Sequence, residues 1–275
     1  MWTLSGFADE ISPDLDEQIS VVTDLGLKYI EFRTAWDLSV LALDEQQLRR
    51  AKNALDEAGL KVSSIGSPIG KIPISEDNGP HLEHMKHALK VAEYFEAPFI
   101  RVFSYFIPET ENPDDYRDEV ITRMRDLTAV AEGSGITLIH ENEKEIYGDI
   151  PRRCLEIVQA VDSPALRLTW DNANFVQCGV QPFTEGYQLL SPYVDYLQVK
   201  DARSVDSVVV PAGDGDGEFR ESMRAFAADG FDGFASLEPH LQVGHSLGGF
   251  SGPDNWRRAH AAFVNVLQEE GIAYQ

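Results

Sequence analysis

The chain has 275 residues, 43% hydrophobic and 10% aromatic, and its 46 acidic against 23 basic side chains give a formal net charge of -23 at pH 7. That length suffices for one large core, and the charge excludes two classes of partner. Nucleic acid would gain no counterion release from this surface, and an anionic membrane would repel it.

In chain order, a weak first strand over residues 3–8 precedes Ser12-Pro13, which reads as a helix cap and first-turn proline. Leu15, Ile19, Val22 and Leu25 then recur at helical spacing, and Gly26 stops the run. Tyr29–Arg33 reads as strand two, and Asp44 with Gln47 forms a capping box for a helix carrying Leu48, Ala51, Leu55 and Ala58. Leu60–Ile65 is strand three and His81–Phe95 helix three; Phe99–Phe103 is strand four, and Asn112-Pro113 opens the next helix. Ile136–Ile139 is strand five, followed by a helix capped by Asp149; Leu166–Thr169 is strand six, with a short helix over Phe183–Leu190. Val194–Val199 is strand seven. Phe219, Met223 and Phe226 stripe a helix, Phe234–Leu237 is strand eight, and Trp256–Leu267 is the last helix.

Eight strand–helix units in this length predict a single-domain α/β fold, a (β/α)₈ TIM barrel over residues 1–275. The competing doubly wound sheet would use fewer units and a glycine-rich first turn, and none follows strand one. Gly/Ser-rich residues 244–253 fall where a barrel places an active-site loop. Cys154 and Cys178 read as core or loop, which fits a reducing compartment. The start of the chain lacks a basic segment followed by an apolar run, and no stretch approaches membrane-spanning length, so the cytoplasm is the default location.

Barrel chemistry sits at the C-terminal strand ends. Glu141, Asp171 and Glu238 follow strands five, six and eight. One charged residue there is usually a cap or a solvated loop residue. Three are less easily dismissed, because clustered carboxylates repel unless a cation offsets them. Oxygen donors suit one divalent ion, Mg, Mn, Co or Zn. Gln198, on strand seven, reads equally as a fourth ligand or as a hydrogen-bonded polar residue in the barrel mouth.

The stretches GFADEIS, YIEFR, SSIGSPIGK, IRVFS, HENEKEIYGD, WDNANFVQCG, YLQVKDAR, PAGDGDGEF and GFASLEPHL resemble the xylose-isomerase-like TIM-barrel superfamily over nearly the whole chain. Its members include sugar isomerases, ketose 3-epimerases, inosose dehydratases and endonuclease-IV-type repair enzymes. In the ketose-epimerase branch a Glu, Asp, His and Glu bind one divalent ion and the two glutamates exchange the substrate proton. By position, the resemblance implies that Glu141, Asp171, Gln198 and Glu238 hold the metal, with Glu141 and Glu238 catalytic. The chain departs at Gln198, where His is expected, and at Asn174, near where several relatives place a substrate-contacting His.

A supporting polar shell is legible around these acids. Lys200 and Arg203 read as contacts to substrate oxygens or as partners of neighbouring acids such as Asp201 and Asp206. His140, Asn142, Asn174 and His240 sit near the acids, and Lys71 ends a loop after strand three. Glu31 and Arg33 share a face of strand two, and these two with Arg101 read equally as substrate contacts or internal ion pairs. The loop Gly213-Asp214-Gly215-Asp216-Gly217 lacks EF-hand spacing, and its aspartates disfavour phosphate, so an unphosphorylated sugar or polyol is the expected substrate.

The expected enzyme is a metal-dependent sugar isomerase or epimerase working through an enediolate. A keto-sugar or inosose lyase or dehydratase would use the same first proton abstraction, and an inactive sugar-binding barrel is the non-enzymatic alternative. A repair nuclease is disfavoured by the acidic excess and the seven histidines. Barrels of this sort often associate, which leaves a homo-oligomer as an open expectation.

Overall fold

A computed structural model describes residues 1–245 and 248–275. The strands are β1 (Thr3–Gly6), β2 (Tyr29–Phe32), β3 (Lys61–Ile65), β4 (Phe99–Val102), β5 (Thr137–Glu141), β6 (Leu166–Asp171), β7 (Val194–Val199) and β8 (Phe234–Leu237). They form one sheet in the order β1-β8-β7-β6-β5-β4-β3-β2, with every pairing parallel. A parallel bridge between Phe7 and Glu31 joins β1 to β2, so the sheet comes almost full circle. The expected TIM barrel is what the chain adopts.

The principal helices are α1 (Leu15–Asp24), α2 (Glu45–Glu57), α3 (Asn78–Phe95), α4 (Arg117–Ala131), α5 (Pro151–Val161), α6 (Asn172–Gln177), α7 (Phe219–Ala228) and α8 (Gly252–Glu269). Their amphipathic stripes lie on the outer wall of the barrel. In α2, Ala51 and Leu55 are buried, and the Asp44–Gln47 capping box satisfies the first-turn N–H groups as expected.

Several local expectations are corrected. The cap of α1 is Asp14, which accepts from Asp16 and Glu17 N–H, while Ser12 Oγ accepts from Asp14 N–H. Ile150 occupies the N-cap position of α5 and Asp149 instead binds Arg153, because a guanidinium one turn on offers that carboxylate two donors. Helix α3 begins at Asn78, capped by Asp77, one turn before His81. The segment after β6 turns directly into α6, since Asp171 Oδ1 caps it by accepting from Asn174 N–H at 2.8 Å, and the expected short helix over Phe183–Leu190 follows as helical turns over Pro182–Tyr187 and Gln188–Leu190. Part of the 244–253 segment, residues 246 and 247, lies outside the described residues.

Strand parity sorts the barrel interior into levels. Near the N-terminal end, Tyr29, Phe99, Tyr196 and Phe234 pack edge to face or tilted. One level higher, Glu31 Oε2 accepts from Ser236 Oγ (2.7 Å), Gln198 Nε2 (3.0 Å) and Tyr196 Oη (3.1 Å). Register pairs Asp171 with Gln198 and Gln198 with Ser236, and Glu238, two residues beyond Ser236, follows on the same inward face toward the C-terminal end.

Candidate active site

Glu238 is the hub of the C-terminal mouth. Its Oε1 accepts from Arg33 Nη1 at 3.1 Å and Arg101 Nη1 at 3.3 Å, and its Oε2 accepts from Lys200 Nζ at 2.7 Å. His240 Nε2 lies 3.5 Å from Oε1 and 3.1 Å from Glu10 Oε1. Arg101 Nη1 also donates to Glu141 Oε2 at 3.0 Å, and Lys200 Nζ lies 3.1 Å from Asp171 Oδ2. Asn174 Nδ2 donates to Glu141 Oε1 at 3.0 Å. The guanidinium groups rest on aromatic faces, Arg33 4.3 Å from the Phe7 ring centre and Arg101 4.7 Å from the same ring.

These contacts split the two glutamates. Burial, together with the neighbouring Glu238 charge, pushes the Glu141 carboxyl up to about 8 against the pull of Arg101. Burial would also raise Glu238, but Lys200, His240 and Arg101 outweigh it and hold this carboxyl well below its ordinary range. Asp171 is pushed up to about 6, by burial first, with Lys200 opposing. Burial works against the Lys200 ammonium too, yet Asp171, Glu238 and Glu141 outweigh it and raise its pKa. With no ion bound, the surroundings thus push two neighbouring carboxyls in opposite directions.

A cavity of about 280 Å³ opens above this cluster, with Arg33, Lys71, Arg101, Glu141, Asn174, Lys200, Glu238 and His240 in its wall. Lys71 reaches it beside Glu143, at 2.5 Å. Gly249 also lines it and packs so closely on the His240 ring that any side chain at 249 would overlap the imidazole. Lys71, Arg101, Asn174, Lys200 and His240 are thus brought to one place.

Four expected substrate contacts are not. His140 alternates to the other side of β5 from Glu141; its ring is fully buried against Gly148 and burial lowers its pKa to about 3. Asn142 makes reciprocal bonds with the Asp171 backbone, at 3.0 and 3.1 Å, and so fixes β6 rather than lining the cavity. Arg203 is exposed and paired with Asp206 at 2.6 Å. Glu31 lies below the cavity in the hydrogen-bonded level already described. Asp201 also stands apart: its carboxylate accepts from the N–H groups of Ala202, Gly213, Gly215 and Gly217. A Cβ at 215 or 217 would crowd Asp201 Oδ1 at 2.5 Å, which accounts for the glycines of that loop.

Arg33, read from the sequence as a substrate contact or an internal ion pair, joins the site, and so do Asp9 and Glu10, which were not among its expected residues. Arg33 Nε donates to Asp9 Oδ2 at 2.7 Å, and Glu10 Oε2 accepts from His240 N–H at 2.8 Å. The acids inside GFADEIS were the available signal.

The donor set fits a divalent ion. Oxygens of Glu141, Asp171 and Glu238 all lie within 4.8 Å of one another. Gln198 Oε1 is buried without a hydrogen-bond partner while its Nε2 is tied to Glu31. Among the described residues, the carboxyls of Glu10, Glu31, Glu141, Asp171 and Glu238 and the cations of Arg33, Arg101 and Lys200 are all buried around this level. A divalent ion among Glu141, Asp171 and Glu238 would favour the ionised form of all three.

A family model described as xylose isomerase-like TIM barrel matches residues 19–265. Among curated proteins, 3-dehydroshikimate dehydratase of Bacillus anthracis is 22% identical over 157 residues, 57% of this chain and 55% of that protein. The match thus spans little more than half of that relative. A D-tagatose 3-epimerase-like protein superposes with a TM-score of 0.78 at 16% identity, covering 98% of both chains. The IolI protein, in a structure with a bound zinc atom, superposes at 0.79 with 15% identity, covering 98% of this chain and 99% of that one. At these identities the structural likeness establishes the fold alone.

Proposed function

The chain belongs to the xylose isomerase-like TIM barrel family, and from that premise we propose that it is an isomerase or epimerase of a small polyhydroxylated ketone. The observation that carries this reading is the Glu141–Glu238 pair, bridged by one Arg101 nitrogen and pushed in opposite directions by its surroundings. Glu141, Asp171, Gln198 and Glu238 would hold a divalent ion, which when bound polarises a substrate carbonyl.

The remaining work falls to side chains. Glu141 and Glu238 act as the acid/base pair, one taking the proton from the carbon beside the carbonyl and the other returning one to the resulting enediolate. Arg33 and Arg101 hold positive charge against the oxyanion as it develops. Asn174 keeps Glu141 oriented. An unphosphorylated sugar or polyol is the favoured substrate, because Asp201 already occupies the N–H groups of the glycine loop that a phosphate would need.

A dehydratase is the second reading, favoured by the resemblance to the Bacillus anthracis enzyme. It would share the proton abstraction and then expel a hydroxyl. Incubating the metal-loaded protein with ketoses, keto-polyols and hydroxylated keto-acids in D₂O separates the two. Deuterium in a product of otherwise unchanged mass is the expected outcome. Loss of water would move the assignment to dehydratase, and absence of exchange across the whole panel would overturn both readings.

A further inference from the structure

Lys200 sits between two of the carboxylates that would hold the ion. Its Nζ lies 2.7 Å from Glu238 Oε2 and 3.1 Å from Asp171 Oδ2, and its side chain is 3% exposed. An ion holding carboxylate oxygens at roughly 2.0–2.6 Å between those two residues would overlap an ammonium held between them. Arg101 spans the other side of the cluster, one nitrogen donating to both Glu141 Oε2 and Glu238 Oε1, and among the described residues Lys200 is the cation paired with Asp171. Arg33 and Arg101 use the opposite oxygen of Glu238, Glu141 accepts from Asn174 at Oε1 and from Arg101 at Oε2, Asp171 Oδ1 accepts from Asn174 N–H, and Gln198 Oε1 has no hydrogen-bond partner among the described residues.

We propose that Lys200 is a tethered counter-cation which closes the carboxylate cluster in the absence of metal, and which a divalent ion must displace in order to bind. Metal loading is then an exchange of one cation for another. The flexible four-carbon stem allows the ammonium to move into the cavity it already lines, where it can meet a substrate oxygen. The arrangement has two consequences. The metal-free chain is spared a buried Asp171 carboxyl without a cationic partner, and the site selects for ions that bind strongly enough to break two charged contacts. Gln198 sharpens that selection: where His is expected it offers a neutral amide oxygen, so less ligand strength is available to drive the exchange.

This inference rests on the metal-dependent reading above, and the test separates the two. Wild type and Lys200→Met, both stripped with chelator, are titrated with Mn²⁺ by calorimetry and melted with and without the ion. The variant is expected to bind Mn²⁺ at least about tenfold more tightly and to gain more in Tm from it than wild type. Binding of equal or lower affinity in the variant would overturn the exchange while leaving the metal reading intact. No binding to either protein would overturn both. If the variant fails to fold, a structure of Mn²⁺-loaded wild type decides: Nζ withdrawn from Asp171 supports the exchange, and Nζ still touching both carboxylates contradicts it.

Discussion

At the N-terminal end of the barrel, Tyr29, Phe99, Tyr196 and Phe234 fill the interior with rings whose centroids lie between 4.9 and 6.2 Å apart, whereas the C-terminal end is filled with charge. The first end is held by apolar burial and ring packing, which do not depend on pH or on bound ions. The second places carboxylates of like sign side by side and relies on Arg33, Arg101 and Lys200 to keep them there. One sheet therefore supplies both a stable base and a strained mouth. Mutations at the two ends should separate stability from chemistry.

The largest separation is expected from Glu238→Gln. Turnover should fall by roughly 10²- to 10⁴-fold, with the far-UV circular dichroism unchanged. Retained turnover would remove Glu238 from the mechanism. Phe234→Ala is the counterpart at the other end. The ring is partly buried, so the loss should be about 1–2 kcal/mol in urea unfolding, with turnover per folded molecule as it was; a selective loss of turnover would show that the two ends are coupled.

A smaller effect concerns pH. Because the folded pKa of Glu141 is raised, the folded metal-free chain binds more protons than the unfolded chain between the ordinary Glu range and about 8. Stability should therefore fall as pH rises through that window. Asp171 contributes the same sign only up to about 6, so Glu141→Gln should flatten the segment from about 6 to 8. Thermal melts of chelator-treated protein measure this, and an unchanged slope would place the titration elsewhere. Arg203→Ala should be silent, within about 0.5 kcal/mol and without change in turnover, since its ion pair with Asp206 is exposed.

Much of this was legible in the sequence, and the parts that were not have physical causes. Hydrophobic periodicity located eight strands, and the rule that barrel chemistry gathers at strand C-termini selected Glu141, Asp171 and Glu238. Parity along β5 would also have removed His140, because its neighbour Glu141 faces inward and adjacent strand residues cannot both do so. What no local pattern carries is convergence across the barrel. Arg33 and Glu238 are 205 residues apart in sequence, and their contact exists only once β1 and β8 close against β2. The same holds for Lys200: its position between Asp171 and Glu238 depends on three strands at once, whereas its sequence neighbour Asp201 turned out to serve the glycine loop.

The most direct test is elemental mass spectrometry on untagged protein purified without chelator, with a Glu141→Ala/Asp171→Ala variant beside it. About one divalent ion per wild-type chain, lost in the double variant, is the expected result. No bound ion in wild type, even after reconstitution with Mn²⁺, Mg²⁺, Co²⁺ and Zn²⁺ in turn, would contradict a metal-dependent mouth.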